Sequence, residues 1–165
     1  MASRHRSLPL LAALSVSLIA ILPALAEKPA WTPIAELLVG SIGNMDPARM
    51  SDVMTRCTGL TMTLASMAAD FSPETSARYR DEAHKFIQNG VLIDSRLEKE
   101  RTGVDADINA VSNATIAKVK EAVSGYNDWM DDNIATNDSY IDKDIELEMS
   151  SCRLASRLLA QVSVE

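Results

Sequence analysis

Residues 46–71 read DPARMSDVMTRCTGLTMTLASMAADF. The apolar positions Met50, Val53, Cys57, Leu60, Leu64, Met67 and Phe71 recur at alternating intervals of three and four residues. That spacing lays one stripe along an α-helix, with a cysteine in its middle. Asp46–Pro47 predicts the start: an Asp side chain accepts from free backbone N–H groups, and Pro at the first helical position loses no needed donor. A stripe of this length is unfavourable in water, so the rest of the chain is expected to cover it.

Upstream, Arg4, His5 and Arg6 precede an uncharged apolar run from Leu8 to Leu22, and Pro23 breaks it. Ala24-Leu25-Ala26 then supplies the small-x-small pattern of a signal-peptidase site. The run is shorter than the roughly 20 residues a spanning helix needs. Residues 1–26 therefore read as a cleaved signal peptide, and the product as exported, to the periplasm or beyond. No membrane insertion is expected after processing.

The remaining 139 residues suit one domain with one core. Losing Arg4 and Arg6 takes the formal net charge from −7 to −9, which argues against nucleic acid and anionic lipid as partners. Helix formers are plentiful and β-branched runs scarce, so the class is all-α. Residues 27–45 read as a lead-in: Thr32–Pro33 opens a short helix over about 33–42 carrying Ile34, Leu37 and Leu38, ended by Gly40 or Gly43-Asn44. Trp31, just ahead of it, is placed to staple the turn against Leu37 or to meet a partner.

Beyond Phe71, Ser72-Pro73-Glu74 repeats the cap-then-proline arrangement. A helix over 73–101 then carries Tyr79, Ala83, Phe86, Ile87, Ile93 and Leu97, continuous through Asn89-Gly90. A third over 105–131 carries Ile108, Val111, Thr115 or Ile116, Val119, Ala122 or Val123, Tyr126, and Trp129 or Met130. An acidic, Asn-rich turn from Asp131 to Asp138 is expected next. The last helix, 139–163, carries Ile141, Ile145, Met149, Cys152, Leu159 and Val162, acidic early and basic late, as the helix dipole prefers. Four long helices with short connections predict an up-down-up-down four-helix bundle over 46–165.

In that arrangement the first and last long helices are neighbours. Cys57 follows Pro47 by ten residues and Cys152 precedes Val162 by ten, so at about 1.5 Å per residue both lie roughly 15 Å from the same end. In an exported protein the pair is expected to form a disulfide.

Signatures of catalysis are sparse. G-x-S-x-G, H-E-x-x-H, a phosphate-binding glycine loop and C-x-x-C-H are all missing from the sequence. His84, the one histidine beyond the leader, sits between Asp81 and Lys85 and reads as solvent-facing; an enzyme built on it is the least supported reading. Thioethers bind Cu(I), and Met45, Met50, Met54, Met62 and Met67 cluster near the first long helix, with Met50 and Met54 one turn apart. Methionine is equally a filler of helical cores. Asp128, Asp131, Asp132, Asp138, Asp142 and Asp144 offer oxygens for calcium, but without the EF-hand glycine and terminal glutamate. Asp142/Glu146 and Asp144/Glu148 are like-charge neighbours one turn apart, unfavourable unless a cation or basic partner relieves them. Asn113-Ala-Thr115 and Asn137-Asp-Ser139 match the glycosylation sequon.

The expectation is an exported, disulfide-stapled, cofactor-free helical bundle, monomer or homodimer, that binds a protein partner rather than catalysing a reaction. Trp31, Asp142 and Asp144 mark candidate partner surfaces. The alternative is a periplasmic metal-binding protein, holding copper through Met50 and Met54 or calcium through the segment 128–144.

Overall fold

The computed structural model describes residues 29–44 and 46–162, with side chains as far as Ala160. The expected leader, Met45 and the last three residues lie outside the described set, as does the side chain of Val162. The described chain forms five α-helices and contains no strand: α1 (Ile34–Asn44), α2 (Pro47–Ala68), α3 (Pro73–Thr102), α4 (Ile108–Asn137) and α5 (Lys143–Val162).

Helix α2 begins as its sequence predicts. The Asp46 carboxylate accepts from the N–H groups of Ala48 and Arg49, and Pro47 follows in the first turn. Its burial exceeds a single stripe. Val53, Cys57, Leu60 and Leu64 are buried, but so are Ser51, Thr55, Arg56, Thr58, Thr61 and Thr63. The reason is placement: α2 packs against α1, α3, α4 and α5, so little of it faces water. Threonines suit such a position because their hydroxyls can donate back along the helix, Thr58 to the Met54 carbonyl at 2.8 Å and Thr61 to that of Cys57 at 2.7 Å. Gly59 brings α4 close; a Cβ there would stand 2.6 Å from the Ala122 Cβ.

The ends of the helices depart from expectation in several places; α5 starts at Lys143 rather than 139, with Asp142 ahead of it accepting the Ile145 N–H at 2.7 Å. α2 stops at Ala68, and Phe71 lies outside it, 77% exposed, because the chain turns at residues 69–71 to bring Ser72 N–H to the Ala68 carbonyl at 2.8 Å. Ser72 occupies the cap position of α3 without capping it; its hydroxyl bonds Thr75 instead. α4 starts at Ile108, where Asp107 is the N-cap, and runs to Asn137, so Asp131–Asn137 is helix rather than turn. Asn133, buried one turn beyond Trp129 and Met130, extends the inward face and bonds the Tyr140 carbonyl at 3.3 Å. Asp138, at φ 54°, supplies the left-handed residue that ends the helix.

α3 is continuous through Gly90, which is buried; a Cβ there would meet Met54 and Thr115 at ordinary distances. The expected cysteine pair is bonded, Cys57 to Cys152 with Cα atoms 5.4 Å apart, joining α2 to α5 inside the core. No described helix is long and apolar enough to cross a membrane.

Candidate functional site

Helices α3 and α4 both turn their tightest faces toward α2. On α3 that face is Ala83, Phe86 and Gly90; on α4 it is Thr115, Val119 and Ala122. Choosing Thr115 over Ile116, and Ala122 over Val123, has a consequence. Ile116 is left 40% exposed, and Ile108, expected in the core, is 50% exposed. Thr115 earns its interior place by donating to Asp94 Oδ2 at 2.9 Å and to the Val111 carbonyl at 3.0 Å.

Between the two helices this leaves an open groove of about 530 Å³, lined by Ile87, Gln88, Val91 and Leu92 from α3 and by Ile108, Ser112 and Ile116 from α4. Leu92 is 55% exposed, and Val104 in the connection beyond is 65% exposed. The apolar surface continues past Leu92 into a second depression of about 300 Å³ against α5, which Met50, Ile93, Leu158 and Leu159 line. Scattered exposed apolar residues are ordinary; a continuous run along one groove marks a contact surface. Charge on its flanks is mixed, with exposed Asp107 next to Ile108 and basic residues along both helices. Lys85 lies three residues before Gln88, Arg96 one turn after Leu92 and Lys120 one turn after Ile116, all three exposed.

The second unusual feature is a buried ion pair. The Arg56 guanidinium on α2 meets the Glu148 carboxylate on α5, and both residues are at least nine-tenths buried. Arg56 also donates to the Thr32 carbonyl and to Tyr126 Oη at 3.2 Å. Tyr126 donates its hydroxyl to Glu148 Oε2 at 2.7 Å, and the Ile34 N–H donates to Glu148 Oε1 at 2.9 Å. Burial, above all, keeps the Tyr126 phenol protonated far beyond its ordinary range. The cluster thus joins the lead-in, α1, α2, α4 and α5, and Arg56 is the basic partner that relieves the Asp144/Glu148 repulsion.

Other residues singled out from the sequence fall as follows. Trp31 lies across α4 rather than out in solvent: its ring approaches Gly125, where a Cβ would stand 2.4 Å away, and meets Tyr126 edge-on with centroids 5.1 Å apart. Asp142 is engaged internally, accepting from the Ile145 N–H at 2.7 Å and from the Trp129 indole at 3.2 Å. Asp144 lies exposed in the first turn of α5. Met54 is fully buried, Met50 edges the second depression, and Met62 is 43% exposed. Asp128 and Asp131 are exposed and Asp132 half-buried along α4, with Asp138 at its end. Among the described residues, no group of three or more His, Cys, Asp or Glu side chains is placed to hold a metal ion. His84 is exposed and pairs along its own helix, with its Nε2 2.9 Å from Gln88 Nε2.

The groove was not foreseen from the sequence because Ile108 was assigned to the core and Ile116 was left as an alternative to Thr115 there. The available signal was Leu92, an apolar residue that fits no inward stripe of its helix. Comparison with protein-family models, with curated proteins and with solved structures returns no match for this chain.

Proposed function

We propose that this protein is a small exported binding protein, non-catalytic, whose four long helices run up-down-up-down around the α2–α5 disulfide. Connections of four or five residues between those helices support that course. Its partner is a protein that presents an amphipathic helix, apolar on one face and acidic at its edges, to the groove between α3 and α4. The observation that carries this reading is the row Leu92, Ile108 and Ile116, exposed and lining one groove together. Laying an apolar helix face into a groove is a recurring mode of recognition, and Lys85, Arg96 and Lys120 favour acidic flanks.

Export is checked by intact mass of the non-reduced protein recovered outside the cytoplasm. A chain beginning at Glu27 and two hydrogens light is expected; a retained leader or two free thiols overturns it.

The partner is sought by placing a photo-crosslinking side chain at Leu92 or at Asp144 in producing cells. A discrete adduct is expected from position 92 and none from 144, and the charge reversals Lys85→Glu and Lys120→Glu should abolish it. Adducts from both positions alike, or none from 92, defeat the proposal. An adduct between two copies of this chain makes the groove a homodimer interface instead.

A further inference from the structure

Helices α3 and α5 both pack on α2 but barely touch each other. The depression of about 300 Å³ beyond Leu92 lies in the gap this leaves, with Met50 from the first turn of α2, Ile93 from α3, and Leu158 and Leu159 from α5 in its lining. These four side chains pack against the core on one side and stay partly exposed on the other. No described helix completes their burial, because the two helices that carry most of them are held apart by α2.

Two polar side chains share the lining, Asn89 and Arg96, one on either side of Leu92 and Ile93 along α3. Asn89 is committed to its own helix, donating its amide to the Lys85 carbonyl at 2.8 Å. Arg96 is exposed, and its guanidinium makes no ion pair and no hydrogen bond with any described residue. A concave apolar surface bearing one unpaired cation is complementary to a molecule with an apolar body and a single negative charge. A guanidinium also matches the two oxygens of a carboxylate in geometry. The volume stands at the small end of ligand sites, room for one alkyl chain rather than a ring system. The formal net charge of −7 opposes a dense anionic surface such as a lipid bilayer, whereas one carboxylate needs only the one local cation.

We infer that this depression binds a single-chain fatty carboxylate. Its alkyl tail lies against Met50, Ile93, Leu158 and Leu159, and its carboxylate pairs with Arg96. The inference stands apart from the protein partner of the adjoining groove: only Leu92 lines both surfaces, and the test needs no partner.

The test is titration of the disulfide-intact protein near neutral pH with hexanoate, heptanoate and octanoate, and with octanol and octylamine. The Met50 methyl resonance is the reporter, and that of Met62, about three turns further along α2, is the control. Octanoate is expected to bind saturably and move Met50 but not Met62. Affinity should rise about fourfold with each added methylene, the increment for burying one such group. Arg96→Gln, at an exposed position and so expected to fold, should weaken octanoate about tenfold, as loss of a hydrogen bond between charged groups does, and leave octanol unaffected. Octanol or octylamine binding as tightly as octanoate overturns the inference, since the slot would then be apolar only or of the opposite preference. Indifference to chain length or to Arg96→Gln, Met62 shifting together with Met50, or absence of saturable octanoate binding overturns it equally.

Discussion

Arg56→Ala is expected to lower the free energy of unfolding by about 3–5 kcal/mol, the cost of leaving a buried charge without its partner. The figure is large because the lost group is not an isolated side chain. Glu148, 4% exposed, would keep only the Tyr126 hydroxyl and the Ile34 N–H, neither of which carries a compensating charge. The Thr32 carbonyl would lose its donor at the same time, which loosens the lead-in from α2. Urea unfolding of Arg56→Ala, Glu148→Ala and the double variant measures this. The double variant should lose clearly less than the sum of the two single losses, since the second removal takes away a charge already stranded. A cost below about 1 kcal/mol for Arg56→Ala, the range of exposed pairs, would mean that water reaches the pair and the cluster is not the interior tie described above.

Removing the disulfide should cost as much. Cys57 and Cys152 are 95 residues apart in sequence, and closing a loop of that length restricts the unfolded chain by about 4–5 kcal/mol in the chain-entropy account. Domains of this size are commonly stable by about 5–15 kcal/mol, so a Cys57→Ala/Cys152→Ala variant should unfold at a far lower urea concentration while keeping its helical signal without denaturant. In the intact protein both cysteines are almost wholly buried, so a reductant should act only as fast as the chain opens. An unchanged urea midpoint in the variant would show that the unfolded chain is already held compact by other means.

These two ties differ in how far they could be foreseen. The cysteine pair was legible: two inward positions at equal depth on helices expected to be neighbours need only helix geometry and topology. The Arg56–Glu148 pair was half legible. Asp144 and Glu148 one turn apart announced a need for positive charge, but nothing local pointed 92 residues back to Arg56.

Period, caps and charge order are properties of a few consecutive residues, and the chain by itself determined what rests on them. It specified helices around Val53, Phe86, Val119 and Ile145, the capping of the first of them at Asp46, and the all-helical class. Which of two adjacent residues faces inward depends instead on the neighbour that arrives from elsewhere. Thr115 displaced Ile116 because Asp94 on α3 was there to accept its hydroxyl, and that exchange put Ile116 at the edge of the groove. The segment Asp131–Asn137 stayed helical because Asn133 found the Tyr140 carbonyl. Trp31 crossed to α4 because Gly125 left it room. The groove between α3 and α4 was decided in this way, by packing between helices, where periodicity within any one of them is silent.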